Sequence, residues 1–310
     1  MSLLDTSVMR LRGAGVCTAG LAALLASAGP ATADSIVSGG LTRQYEIFRP
    51  ANLAGAVPAV FLLHGGRGTA AQLERFTDFD RVAASAGIVA VYPQGIGRQW
   101  DDRRGPGVQS DADDEQFILD LADRLAAKGL VDRDRVYIAG ISNGGLMALD
   151  MACAHADRIA GIAVIAASLP VNFRCDPARP LPAIFFHGTA DQFIPFKGGR
   201  IAGQFSAERG NVVSAEETID LFVRAAGCRI RESQPLADPS PPDGTHVTIY
   251  RYGNCRPGGA VESVIVEGGG HSWPGARQGI LLDYLLGPAS RGVDTSAELW
   301  RFFEGAAHTP

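Results

Sequence analysis

Two kinds of apolar spacing alternate along the chain. Continuous apolar runs with β-branched members at residues 59–63, 88–92, 136–141, 161–167 and 183–187 predict strands buried on both faces, as in a parallel sheet. Between them, apolar residues recur at helical spacing. Leu73, Phe76, Phe79 and Val82 predict a helix over residues 70–86, with a break or a fresh start at residues 77–80. Phe117, Ile118, Leu121 and Leu125 stripe a helix over 111–128, whose first turn is acidic. Leu146, Leu149 and Met151 mark another helix, and residues 214–226 a further one, opened by Ser214 and Glu217 at capping-box spacing.

The remaining segments fill in the picture. Residues 42–49 alternate as a strand with one wet face near a sheet edge, and residues 246–252 and 261–267 read as late strands. Asp294, Thr295 and Ser296 cap a closing helix carrying Leu299, Trp300 and Phe303. Residues 95–107 and 233–244 are polar, rich in Gly or Pro, and predict loops. Strand, helix, strand at this spacing, with right-handed crossovers, defines an α/β three-layer sandwich around a mostly parallel sheet. No repeat, long linker or second composition regime appears, so one domain is expected.

The first 33 residues follow a different logic. Arg10 and Arg12 precede a short Ala- and Gly-rich apolar stretch, and Ala31-Thr32-Ala33 has the form of a cleavage site. A signal peptide over 1–33 is expected, with a mature catalytic domain over 34–310 in an extracellular or periplasmic setting. The apolar stretch falls short of the roughly 20 residues that span a bilayer, so no membrane association is expected after cleavage. The mature chain keeps Cys153, Cys175, Cys228 and Cys255. Sequence proximity favours pairing Cys153 with Cys175 and Cys228 with Cys255, each bridge stabilising by about 3 kcal/mol on the loop-entropy model. The 310 residues are 46% hydrophobic, with a formal charge of −5 and no clustered basic face, which argues against nucleic acid as a partner. No metal-type C-x-x-C spacing occurs, and neither metal nor organic cofactor is expected. The sequence is silent on oligomeric state.

Chemistry concentrates at Gly140-Ile141-Ser142-Asn143-Gly144, between the strand at 136–141 and the helix that follows. G-x-S-x-G in that context is a nucleophile elbow, a tight turn that lifts a serine hydroxyl above the sheet. Ser142 is the candidate nucleophile. It needs a base oriented by a carboxylate, in the chain order Ser, Asp or Glu, His. Of the histidines, His271 follows a predicted strand and the run Gly268-Gly269-Gly270, at the strand end where open α/β sheets carry their sites. His155, His246 and His308 lie on a helix flank, at a strand start and in the tail, and His187 reads as a structural hydrogen-bonder. Asp191, just past the strand at 183–187, is the candidate acid, with Asp176 as its competitor. The oxyanion hole is expected from the backbone N–H of Asn143 and a second N–H in His64-Gly65-Gly66-Arg67-Gly68, from Gly66 or, as the alternative, Arg67.

HGG at His64, YPQG at Tyr92, W-D-D at Trp100, D-D-E-Q-F-I at Asp113, GISNGG at Gly140, HGTAD at His187 and GGGHSWPG at Gly268 appear in order over almost the whole mature chain. This set resembles the secreted polyhydroxybutyrate depolymerase and feruloyl esterase family of α/β-hydrolases. The resemblance implies a triad of Ser142, Asp191 and His271, and a Cys228–Cys255 disulfide near the base loop. It also implies Trp100 and Trp273 as flat walls of a substrate cleft. Glu115 departs from the D-D-V-x-F of many relatives, standing where they carry an apolar residue.

The expected function is a secreted serine carboxylester hydrolase of the polyhydroxybutyrate depolymerase type, cleaving hydroxyalkanoate oligoesters through an acyl-enzyme. Feruloyl or acetylxylan esterase activity is the first alternative, a peptidase on the same fold another. A non-catalytic exported binding protein is the alternative from a different class.

Overall fold

A computed structural model describes residues 31–102, 112–201, 210–236 and 243–307. Cys17, His308 and most of the expected signal segment lie outside them. Among the described residues, ten strands form one sheet in the order β1-β2-β4-β3-β5-β6-β7-β12-β11-β10. In chain order the strands are β1 (Thr32–Ser38), β2 (Leu41–Phe48), β3 (Val57–Leu63), β4 (Val89–Pro93), β5 (Val131–Ile141) and β6 (Gly161–Ile165). They continue with β7 (Ala183–Gly188), β8 (Gly199–Arg200), β9 (Asn211–Val212), β10 (Ile230–Pro235), β11 (His246–Gly253) and β12 (Val261–Glu267), β8 and β9 forming a separate small ribbon. Strands β4, β3, β5, β6, β7 and β12 run parallel, and antiparallel hairpins close both edges.

The parallel strands are apolar throughout because both sheet faces are covered. Phe61 and Leu63 of β3 face one core with Phe117, Leu146 and Phe222, from α3 (Asp114–Ala127), α4 (Asn143–Ala154) and α5 (Ala215–Ala226). Val60 and Leu62 face the other core, with Phe79 and Phe303 from α2 (Phe79–Ala86) and α7 (Thr295–Ala307). This is the three-layer sandwich that the alternation of elements predicts.

Local rules hold where they were strongest. The expected break falls at Asp78, which is left-handed (φ 50°) and ends α1 (Ala70–Thr77) before α2 begins. Ser214 and Glu217 form the capping box of α5. Other expectations change. Residues 233–235, read as loop, belong to β10, whose backbone pairs with β11 although every side chain is exposed. A short helix, α6 (Ile280–Leu286), escapes periodicity because it is apolar on nearly all sides. Strand β1 begins at Thr32, two residues ahead of the expected mature start. Both disulfides form in the expected pairing. Cys228–Cys255, however, does not lie near the base loop. It ties the end of α5 to the turn before β12, and the seven residues of β12 separate it from the His271 end by roughly 20 Å.

Candidate active site

Because β3, β5, β7 and β12 are parallel, the loops at their carboxyl ends meet along one rim. Ser142 follows β5 with φ 58° and ψ −120°, a conformation costly for a residue with a Cβ and held here by the packing around it. Its neighbours must be bare: a Cβ on Gly140 would stand 2.1 Å from the Gly144 carbonyl oxygen, and one on Gly144 2.2 Å from that of Leu63. Ser142 N–H donates to Ile165 O at 2.9 Å, which ties the turn to β6.

Residues 129 and 80 positions apart meet at this rim. His271 Nε2 lies 2.9 Å from Ser142 Oγ, and His271 Nδ1 lies 2.7 Å from Asp191 Oδ2. The second carboxylate oxygen of Asp191 accepts backbone N–H bonds from Phe193 (2.8 Å) and Ile194 (2.9 Å). Burial alone would push the Asp191 carboxyl up. The opposing charge and hydrogen bond of His271, with the charge of His187 and the Ile194 N–H, outweigh it, and the carboxyl titrates below its ordinary range. Its competitor Asp176 is exposed in the loop after β6. His187 donates from Nε2 to Ile194 O at 2.9 Å, and burial pushes its pKa down. It supports the Asp191 loop, as expected of a structural hydrogen-bonder. His155 pairs with Glu115, at 2.6 Å. The departure at Glu115 thus meets a hydrogen-bonding partner.

The loop after β3 is built by hydrogen bonds that sequence reasoning left unassigned. His64 Nδ1–H donates to Gly65 O at 2.8 Å, and Nε2 accepts the Gly95 N–H at 3.0 Å. Burial lowers the His64 pKa to about 4, so the ring is neutral and both bonds hold at neutral pH. Arg67 N–H, the alternative oxyanion donor, is occupied by Arg98 O at 2.7 Å, and Gly68 N–H by Gly65 O at 2.9 Å. A Cβ placed on Gly65 would lie 3.5 Å from that of Ser142, so this loop runs beside the hydroxyl.

Trp100 and Trp273 are not cleft walls in this structure. They are 0% and 1% exposed. Each indole N–H has an internal acceptor, His64 O (2.8 Å) for Trp100 and Ser296 Oγ (3.2 Å) for Trp273, which is what lets a tryptophan be buried whole. Trp100 wedges between the loop after β3 and the elbow. A buried ion pair holds the segment that follows it: Arg43 on β2 meets Asp114 Oδ1 at 2.5 Å, while Asp114 Oδ2 accepts Asp101 N–H at 2.8 Å. Acidic-run position and sheet-edge alternation were the traces these residues left in the sequence. Among the described residues, no group of three or more His, Cys, Asp or Glu side chains is placed to hold a metal ion.

A serine hydroxyl at the carboxyl rim of a mostly parallel sheet, with imidazole and carboxylate in line, is an arrangement suited to acyl transfer. The fold is that of the α/β-hydrolases. Residues 108–219 match the Phospholipase/Carboxylesterase family. The chain is 34% identical over 256 residues to a protein of Nocardia uniformis subsp. tsuyamanensis named "Putative esterase NocK", covering 79% of this chain and 74% of that one. It is 29% identical over 225 residues to feruloyl esterase B of Piromyces equi, covering 70% of this chain and 40% of that one. It is 26% identical over 279 residues to the poly(3-hydroxybutyrate) depolymerase of Ralstonia pickettii, covering 82% and 56%. The last two relatives are therefore much longer than the part they share with this chain. A thermostable esterase of known structure superposes with a TM-score of 0.55 at 17% identity, covering 89% of this chain and 62% of that one, a likeness of fold. The chain belongs to the α/β-hydrolase esterases and is a carboxylic ester hydrolase.

Proposed function

We propose that Ser142, His271 and Asp191 are the catalytic triad, acting on feruloyl or acetyl esters carried by a polysaccharide. The observation that carries the triad is the single imidazole held between Ser142 Oγ and Asp191 Oδ2 at 2.9 and 2.7 Å. His271 Nε2 takes the hydroxyl proton as Ser142 Oγ attacks the ester carbonyl, and Asp191 stabilises the imidazolium that forms. The backbone N–H groups of Asn143, at the first turn of α4, and of Gly66 hold the oxyanion. The protonated imidazole then gives its proton to the departing alcohol. Water, activated by the same base, releases the acid.

The polysaccharide reading draws on the likeness to feruloyl esterase B. Hydroxyalkanoate oligoesters are the second reading, favoured by α6. That helix leaves Leu281 71% and Tyr284 85% exposed, and it is joined to the base loop by the bond from His271 N–H to Leu286 O (2.6 Å), so apolar surface lies next to the base. Export with cleavage before Asp34 belongs to the same proposal and is supported by the two disulfides, which persist in oxidising compartments. Among the described residues, no helix is long and apolar enough to cross a membrane.

The test is a panel of methyl ferulate, acetylated xylan, hydroxybutyrate oligomers and short p-nitrophenyl esters on wild type and Ser142→Ala. Turnover of ferulate or acetylxylan by wild type alone is the expected result. Turnover of hydroxybutyrate oligomers alone would reverse the two readings, and turnover surviving in Ser142→Ala would remove the triad.

A further inference from the structure

We infer that a groove between α5 and the β10–β11 edge binds a neutral oligosaccharide, outside the triad. The inference deepens the polysaccharide reading above. The groove encloses about 500 Å³, within the range of small-molecule sites. Its floor follows from strand periodicity. Arg231 pairs with Tyr252 and Tyr250 with Ser263, so Tyr250 and Tyr252 stand on one sheet face, while Val247 and Ile249 point into the core on the other. Helix α5 covers that face over β7 and β12, where Ile219 and Phe222 are buried. Beyond it Tyr250 and Tyr252 remain half-exposed in the groove.

The chemistry of the lining selects the ligand. Arg231 lies over the Tyr250 ring at 4.1 Å, and Lys197 pairs with Glu216 at 3.3 Å; Asp220 and Glu267 add two carboxylates. Three carboxylates against two cations disfavour an anion. A polyester offers ester oxygens that only accept hydrogen bonds, so it would cover Asp220 and Glu267 without satisfying them. A sugar chain has hydroxyls that both donate and accept, and an apolar C–H face that can lie on a tyrosine ring.

One lining residue is tied to the segments that carry the triad. Thr189 lines the groove and lies two residues before Asp191, and its hydroxyl accepts the Gly268 N–H at 3.0 Å, at the start of the glycine run leading to His271. A glycan seated there would carry its ester substituent along the rim that holds Ser142.

The test uses the full chain as Ser142→Ala, so that no ester is turned over, titrated calorimetrically with xylohexaose and, separately, with a hydroxybutyrate hexamer. Xylohexaose is expected to bind. Tyr250→Ala with Tyr252→Ala should weaken it about ten-fold, the loss expected for two aromatic contacts. Arg231→Ala, an exposed and milder change, should weaken it less. In the Ser142 background the same changes should leave p-nitrophenyl acetate turnover within two-fold, which controls for folding, and raise KM but not kcat for acetylated xylan. Absence of xylohexaose binding, binding unaltered by the tyrosine and arginine variants, or binding of the hydroxybutyrate hexamer alone would each overturn the inference. Esterase panel and titration fail separately: an enzyme that cleaves only hydroxybutyrate esters yet binds xylohexaose through Tyr250 keeps the groove and loses the substrate reading.

Discussion

The side-chain amide of Asn143 grips the backbone of Trp100 from both sides: Oδ1 accepts the Trp100 N–H at 2.8 Å, and Nδ2 donates to the Trp100 carbonyl at 3.0 Å. Nδ2 also donates to Asp102 Oδ2, at 2.5 Å. The residue whose main chain is proposed for the oxyanion hole thus uses its side chain to fix the loop beside it.

Replacing that amide tests the clamp. Asn143→Ala leaves buried backbone groups unpaired and should cost about 1–3 kcal/mol of stability. Asn143→Asp should be worse than Asn143→Ala, because a carboxylate would face both the Trp100 carbonyl and the Asp102 carboxylate. Urea midpoints of the two variants decide the order.

Asp191→Asn should lower kcat by about 10⁴-fold on short p-nitrophenyl esters with little change in KM, since an amide cannot stabilise the imidazolium. The pH dependence follows from the depressed Asp191 pKa. The group stays a carboxylate to below the ordinary carboxyl range, so protonation of Asp191 should not set the acid limit of wild-type activity. The stability contributed by Asp191 is present above its unfolded value of about 3.9 and is lost only as pH falls through its lower folded value. Asp191→Asn should therefore leave the pH dependence of stability above about pH 4 unchanged, as urea midpoints at each pH would register.

His64 makes a separate acid-lability. Its folded pKa of about 4 lies below the ordinary histidine value of about 6.5, so between the two the unfolded chain binds a proton that the folded chain does not. Stability therefore rises with pH across this window and is lost on acidification, by about 2 kcal/mol between pH 7 and pH 5. His64→Gln should be less stable at pH 7 and should lose correspondingly less on going to pH 5. An unchanged pH slope would contradict the neutral buried ring.

Asp114→Ala removes the partner of Arg43, whose guanidinium lies under 2% residue exposure and 3.9 Å from the Phe117 ring centroid. Breaking one side of a buried pair should cost about 3–5 kcal/mol. The double change Arg43→Met with Asp114→Leu should recover much of it, as thermal midpoints would show.

These residues also mark what the chain disclosed in advance and what it did not. Asp78, Ser214 and Glu217 follow local rules of helix ends, so spacing alone located them. The meeting of Ser142, Asp191 and His271 was legible because each follows a buried parallel strand, and parallel strands bring their carboxyl ends together. Trp100 and Trp273 depart from the expected cleft walls because aromaticity says nothing of exposure; the internal acceptors His64 O and Ser296 Oγ decide it. Strand β10 was hidden because an edge strand exposed on both faces, Ile-Arg-Glu-Ser-Gln-Pro, carries no alternation, and its hydrogen bonds to β11 make it a strand. The His64 network was invisible because Gly95, its partner, lies 31 residues away in sequence.

The most direct test of the account is reaction of the full chain with a fluorophosphonate, followed by peptide mass spectrometry. The account predicts stoichiometric modification at Ser142, much slower modification in His271→Ala, and loss of ester hydrolysis in step with labelling. An unmodified Ser142 in protein that still hydrolyses esters, or an adduct on another residue, would contradict it.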